Sequence, residues 1–194
     1  NKKEYDEEWI EIMEDTIKAI AEEAEPYKGI LYGQFMLTAD GPRLIEYNAR
    51  FGDPEAMNVL PLLKTPLVDV CKDIVNGTLG EVEFEDKASV CKYIVPDGYP
   101  ETEHAGEVIE VDEDAIEAMG AKVFYAAVSL EEDGIHLSGS RALGIVASGE
   151  SITEAEKIAE KACEHVKGNV YHRRDVGTKA LVDKRVEHMK EILN

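Results

Sequence analysis

The chain has 194 residues, of which 41 are acidic and 21 basic, a formal net charge of −20 at pH 7. That length allows one large domain or two small ones, each with a real core. A surface this negative repels nucleic acid and anionic membrane, so neither is an expected partner, and any phosphate site must be a local basic or metal-bearing pocket.

In chain order, Asp6 is expected to cap a helix reaching about Ala24, with Glu7 and Glu8 in its first turn. Trp9, Met13, Ile17, Ile20 and Ala24 form its apolar stripe, and Pro26 stops it. Gly29 to Thr38 reads as a strand, and Asp40-Gly41-Pro42 as the turn of a hairpin. The return strand, Arg43-Leu44-Ile45-Glu46-Tyr47-Asn48-Ala49-Arg50, is the most informative stretch. Alternation puts Leu44, Glu46, Asn48 and Arg50 on one face and Ile45, Tyr47 and Ala49 on the other. A carboxylate, an amide oxygen and a guanidinium thus stand in a row, and the turn Gly52-Asp53-Pro54-Glu55 adds two more carboxylates. Such a face is costly to bury unpaired. Oxygen ligands suit magnesium and the arginine fork suits phosphate. The same pattern also describes the solvated outer face of an edge strand.

Ala56 to Leu60 suggests a short helix ended by Pro61. Thr65 is the expected cap of the next helix, with Pro66 at its first position, Asn76-Gly77 at its end, and Leu67, Val70, Cys71, Ile74 and Val75 facing the core. The acidic stretch from Gly80 to Asp86 reads as a linker or edge connection. Strands are then expected over Ala88 to Val95, Glu107 to Val111, Lys122 to Leu130, Ile135 to Ser138 and Ala142 to Ala147, with one or two helical turns from Asp114 to Met119. Ser151-Ile152-Thr153-Glu154 is a capping box opening a helix to Val166, with Gly168 beyond it, and a last helix runs from about Thr178 to Leu193. Cys71, Cys91 and Cys163 sit in apolar-periodic segments and read as small core residues. With no Cys-x-x-Cys or His-x-x-His pair, zinc and a disulfide framework are not expected. His104, His136, His165, His172 and His188 show no triad logic and read as structural or surface residues. Arg141 and the pair Arg173-Arg174 read as ion-pair partners of this acidic chain, as contacts to the phosphate of a sugar-phosphate, or as residues packing against the neighbouring domain. The lack of a signal peptide or transmembrane run reads as cytoplasmic.

The string from Arg43 to Pro61, with Gly29-Ile30-Leu31-Tyr32 and Phe35-Met36-Leu37-Thr38 before it, resembles the end of the ATP-grasp domain in the phosphoribosylamine–glycine ligase family. Ser138-Gly139-Ser140-Arg141-Ala142-Leu143-Gly144 resembles that family's Ser-Gly-Gly-Arg-Val-Leu-Gly segment, with Ser140 in place of a glycine. Tyr171-His172-Arg173-Arg174-Asp175-Val176-Gly177 resembles its Tyr-x-Arg-x-Asp-Ile-Gly close. The resemblance implies an α+β chain. Residues 1–86 would form the C-terminal half of an ATP-grasp domain, an antiparallel sheet with helices, and residues 87–194 a small mixed α/β C-terminal domain. It implies ATP-dependent joining of glycine to 5-phosphoribosylamine through glycyl phosphate, in de novo purine biosynthesis, with magnesium or manganese as the metal. On the matching positions, Glu46 would bridge two metal ions, Asn48 would complete one shell, and Gln34 would be a third ligand. Gln34 is an amide where the wider superfamily often has an acid, and it reads equally as an amide that hydrogen-bonds within the sheet. Glu46, Asn48 and Arg50 would then serve the nucleotide, with Arg50 on the γ-phosphate or acyl phosphate. Asp53 and Glu55 would shape the loop and position the incoming amine or Arg50. The family's glycine-rich lid and adenine-binding strand precede the matching region. Together with the opening Asn-Lys-Lys, that suggests a C-terminal fragment, inactive alone and partnered by the N-terminal part of its own polypeptide. The rival readings are a non-catalytic structural remnant and another ATP-grasp carboxylate–amine ligase. The Arg-Phe-Gly-Asp-Pro-Glu string argues against the second.

Overall fold

The computed structural model describes residues 2–193, with side chains from residue 7 onward. The chain forms two units. The first holds the residues up to Asp53, Leu63–Phe84 and the C-terminal end from Val186; the second holds Pro54–Leu62 and Glu85–Arg185.

The first unit opens with helix α1 (Lys2–Glu23), which begins before the expected cap; the Asp6 side chain lies outside those described. Its inner face packs on an antiparallel hairpin of β1 (Tyr32–Thr38) and β2 (Gly41–Asn48). Trp9 stacks on Phe35, centroids 5.9 Å apart and planes 7° from parallel, and Thr16 Oγ1 lies 2.6 Å from Tyr47 Oη. Gly29 to Leu31 stay outside β1, and the hairpin loop is Ala39-Asp40, because Gly41 and Pro42 already pair in β2. Gly41 has φ +92°, a conformation that favours glycine. Helix α2 (Glu55–Val59) and a 3-10 turn (Leu60–Leu62) pass through the second unit before α3 (Leu67–Asn76) returns to the first.

Thr65 does not cap α3. Its hydroxyl instead accepts the Glu83 N–H at 2.9 Å, and the Lys64 and Thr65 amides donate to Glu83 O at 2.9 and 3.3 Å. The acidic segment is therefore an edge connection, with Phe84 bridged to Leu63. Gly77 (φ +70°) closes α3 as expected. Of the five α3 residues expected in the core, only Val70 is buried, and Leu67, Cys71 and Val75 are exposed. Among the described residues of the first unit, Val70 is the only buried hydrophobic side chain of the core, so α3 has little apolar surface to pack on.

The main core lies in the second unit. Strands β3 (Ala88–Pro96), β5 (Ala121–Tyr125), β8 (Leu143–Gly149) and β10 (Val170–His172) form one antiparallel sheet in the order β10-β3-β8-β5. A second sheet has the order β6-β7-β4-β9, from β4 (Val108–Val111), β6 (Val128–Glu131), β7 (Gly134–Leu137) and β9 (Val166–Lys167). Helix α5 (Ile152–Cys163) lays Ala155, Ala159 and Ala162 against Val90, Ile94, Ile145 and Ala147 of the first sheet. The short α4 (Glu113–Ala118) contributes the fully buried Ile116. Ser151 caps α5 by accepting the Glu154 N–H at 3.2 Å. Glu154 reaches back to the amide of Glu150, one residue earlier than a standard capping box. The helix ends at Cys163 rather than Val166, because Val166 pairs with Val111 in β9. Lys122 to Leu130, expected as one strand, divides at Ala126-Ala127. Their amides donate to Ala142 and Arg141 carbonyls at 2.8 and 2.9 Å, taking the chain from one sheet to the other. The last helix, α6 (Lys179–Leu193), starts beside Thr178 as expected. Cys163 is buried and its thiol is pushed up to about 12 by that burial, an inert core group. Among the described residues, no helix is long and apolar enough to cross a membrane.

Candidate functional site

The residues singled out by sequence gather on the hairpin of the first unit, but by a different register than plain alternation. Gln34 pairs with Glu46 and Tyr32 with Asn48, whereas Phe35 pairs with Leu44, so Ile45 is an extra residue bulged out of β2. Side chains directly opposite one another share a face. Gln34, Glu46 and Asn48 therefore stand together on the face away from α1. Leu44 joins Phe35 on the α1 side, against the expected grouping with Glu46. The bulge resets parity and makes a three-residue oxygen cluster from two strands. Asn48 Nδ2 donates to Glu46 Oε1 at 3.0 Å, tying the amide to the carboxylate. Gln34 and Glu46 are exposed and Asn48 is half-buried.

Arg50 is not a continuation of that row. β2 ends at Asn48, and Arg50 sits in the following bend with Nη1 donating to its neighbour Phe51 O at 2.7 Å. The break follows from the turn: Gly52 is buried and the chain bends into Asp53-Pro54, so the strand cannot extend to residue 50. Asp53 is exposed in that turn and ends the first unit, while Glu55 opens α2 in the second. The structure thus assembles Gln34, Glu46 and Asn48, and leaves Arg50, Asp53 and Glu55 along the loop that follows them. The donor set is all oxygen, from one carboxylate and two amides, a fit for a hard cation such as magnesium.

Two side-chain groups escaped the sequence reading. Lys92 is buried on β3, its Nζ 2.8 Å from Glu156 Oε1, 2.6 Å from Glu160 Oε2 and 2.9 Å from Arg174 O. His172 Nε2 joins Glu160 Oε2 at 3.0 Å. Burial alone would pull the Lys92 pKa down, but its hydrogen bonds to Glu156 and Glu160 outweigh that and raise it. The available signal was parity: Lys92 shares its strand face with Val90 and Ile94, and Glu156 and Glu160 lie one turn apart on α5. The second group is Glu131, Asp133 and His136 around the β6–β7 turn. Its ligands, an acid, an acid and a histidine at spacings of two and three across a hairpin turn, match neither a Cys-x-x-Cys nor a His-x-x-His pair. As for the arginines, Arg173 forks onto Asp175 at 3.1 and 2.8 Å, Arg174 Nε lies 3.7 Å from Glu160, and Arg141 lies over the Tyr93 ring at 4.9 Å. Arg173 and Arg174 thus each have a carboxylate partner.

Residues 1–56 match the family model described as phosphoribosylglycinamide synthetase, ATP-grasp (A) domain, and residues 89–179 match the one described as phosphoribosylglycinamide synthetase, C domain. The chain is 82% identical over 191 residues to a phosphoribosylamine–glycine ligase of Methanobrevibacter smithii, covering 98% of this chain and 44% of that relative. It is 56% identical to the protein of the same name from Methanothermobacter thermautotrophicus, again over 98% of this chain and 44% of the relative. The chain thus spans less than half the length of these curated relatives. The crystal structure of phosphoribosylamine–glycine ligase from Thermotoga maritima superposes with a TM-score of 0.68 at 28% identity, covering 80% of this chain and 39% of that one.

Proposed function

The chain belongs to the phosphoribosylglycinamide synthetase family, and on that premise we propose that it carries part of the active site of an ATP-dependent ligase joining glycine to 5-phosphoribosylamine. The observation that carries this reading is the oxygen-donor face of the β1–β2 hairpin, which lies inside the residues matched by the ATP-grasp (A) domain. We place the boundary between the ATP-grasp part (1–86) and the C-terminal domain (87–194) in the acidic segment before β3, consistent with the two matched ranges.

Glu46, Asn48 and Gln34 would hold magnesium or manganese, which when bound supplies charge neutralisation for the phosphoryl oxygens of ATP. Glu46 contributes the only formal charge of the three, and its register opposite Gln34 sets both at one height on the sheet. Asn48 fixes the Glu46 carboxylate through its 3.0 Å hydrogen bond, and turning the amide over would present its oxygen instead. Arg50 stands just past this row and would turn its fork from the Phe51 carbonyl onto phosphate oxygens. Asp53 and Glu55 flank Pro54 and would set the path of the loop that carries Arg50.

Arg50→Lys, made in a full-length polypeptide that carries this chain, tests the reading. Lysine keeps the charge and loses the bidentate geometry. Turnover at saturating ATP and glycine should fall at least roughly a hundredfold, about 2.7 kcal/mol. The melting temperature should barely move, because the native hydrogen bond is to an adjacent carbonyl in an exposed bend. Near-normal turnover, or a loss that follows unfolding, would leave Arg50 a loop residue only. A second expectation concerns the 194-residue chain by itself. It spans 44% of its relatives' length and should release no ADP in the presence of glycine and phosphoribosylamine. Such release, from material free of longer species, would place a complete site within this chain.

A further inference from the structure

We infer that Glu131, Asp133 and His136 form a second, separate site for a divalent cation of the zinc, cobalt and nickel class, built on the β6–β7 hairpin. It lies in the second unit and owes nothing to the β1–β2 hairpin. One ligand atom from each residue comes within 4.8 Å of the other two. His136 Nε2 lies 2.7 Å from Asp133 Oδ1 and 3.9 Å from Glu131 Oε2.

The strand register brings these residues to one face. Ser129 pairs with His136 and Glu131 with Gly134, so His136, Ser129 and, two residues on, Glu131 share one face. Asp133 then folds over the same face from the two-residue loop Glu132-Asp133. Each end of the arrangement is also oriented from outside the three ligands. His136 Nδ1 lies 2.9 Å from Gly106 O. A carbonyl can only accept, so Nδ1 carries a proton, and the 2.7 Å contact of Nε2 with Asp133 needs a second one, which a metal ion would displace on taking Nε2 as its ligand. Ser129 Oγ donates to Glu131 Oε1 at 3.2 Å, leaving Oε2 as the oxygen nearer the imidazole. Outer hydrogen bonds of this kind, a carbonyl on the far ring nitrogen and a hydroxyl on the ligating carboxylate, are what orient ligands in built metal sites.

The chemistry selects the ion. One imidazole with two carboxylates suits zinc, cobalt or nickel, whereas magnesium prefers oxygen alone. The His136 side chain is only 15% exposed while Glu131 and Asp133 are 57% and 69% exposed, so an ion would enter from solvent over the two acids and complete its shell with water. The net charge of −20 raises the local cation concentration.

Zinc and cobalt(II) titrations of the purified, chelator-stripped chain test the inference. They are run in excess magnesium, to occupy scattered carboxylates, and in a Cys71→Ser background, because Cys71 is an exposed thiol. One equivalent should bind, with cobalt giving visible d–d bands. His136→Gln should weaken binding at least about a hundredfold and Asp133→Asn at least about tenfold, with Ser129→Ala weakening it roughly tenfold at unchanged stoichiometry. His104→Gln, the imidazole paired with Glu107 on the neighbouring loop, should change nothing. Circular dichroism of each variant separates lost binding from lost folding. Absence of binding at millimolar zinc, or binding that survives His136→Gln, would reduce the cluster to a histidine–carboxylate ion pair and overturn the site. Neither result bears on the ligase reading, which Arg50→Lys tests separately.

Discussion

Glu46→Gln, in a full-length polypeptide that carries this chain, is expected to raise the barrier to turnover by roughly 3–5 kcal/mol, about a hundred- to several-thousandfold in kcat, with KM little changed. The substitution is nearly isosteric and Glu46 is exposed, so the hairpin should fold as before, within about 0.5 kcal/mol. What disappears is the one negative charge in a donor set otherwise made of the Gln34 and Asn48 amides. A cation held by that set would act on charge that develops during the proposed phosphoryl transfer, so the loss should fall on kcat. The measurement is steady-state turnover across a magnesium titration, with a thermal melt beside it. Less than about tenfold loss at saturating magnesium would return the row to a solvated sheet face. A large loss that excess magnesium rescues would show that Glu46 sets affinity for the metal rather than the barrier.

The motif was legible because its chemistry and its local structure coincide in one short string. A period-two strand, a turn rich in breakers and an acid–amide–arginine series are all read from adjacent residues. The bulge at Ile45 was not legible. It depends on which β1 residue faces which β2 residue, and Phe35 is drawn to Trp9 on α1 while Gln34 meets Glu46. Contacts distant in sequence thus decide the parity. The oxygen cluster is tighter than alternation implied, since Gln34 lies directly across from Glu46, and looser at Arg50, which falls past the end of the strand. Cap and stop signals behaved unevenly for a similar reason. Ser151 and Gly77 act on the adjacent backbone and are found where expected. Thr65 is captured by Glu83, eighteen residues away. The division of Lys122 to Leu130 between two sheets likewise rests on the carbonyls of Arg141 and Ala142, which no local pattern announces.

Lys92→Ala is expected to destabilise the second unit by about 3–5 kcal/mol, the usual cost of removing one partner from a buried charge cluster. The Lys92 side chain has no exposure, and its three donors are all used: by Glu156 Oε1, Glu160 Oε2 and the carbonyl of Arg174. These contacts join β3, α5 and the segment after β10, so the ammonium is the common anchor of three elements that the chain supplies far apart in sequence. Without it, Glu156 and Glu160, one helical turn apart, lose the cation between them, and Glu160 keeps only His172 and the exposed Arg174. Replacing the cluster with Lys92→Met, Glu156→Gln and Glu160→Gln together should recover most of the loss, because no buried charge is then left unpaired and the Arg174 guanidinium, 78% exposed, is solvated. The pH dependence follows from the carboxylate. Burial pushes the Glu160 pKa up, but hydrogen bonds from Lys92 and His172 outweigh it and hold it below the usual value of 4.5. A lowered folded-state pKa contributes stability above the unfolded-state value and loses it as pH falls through the folded one. Lys92, raised above 10.5, contributes below that value and gives no slope near neutrality. The penalty of Lys92→Ala should therefore be full at pH 7 and shrink as pH drops below about 4.5, where a protonated Glu160 no longer needs the ammonium. The probe should be amide exchange of β3 and β8 in urea, since the single tryptophan, Trp9, reports on the other unit. A penalty below about 1 kcal/mol, or one that grows on acidification, would mean that Lys92 is solvated and that the three elements are held by apolar packing alone.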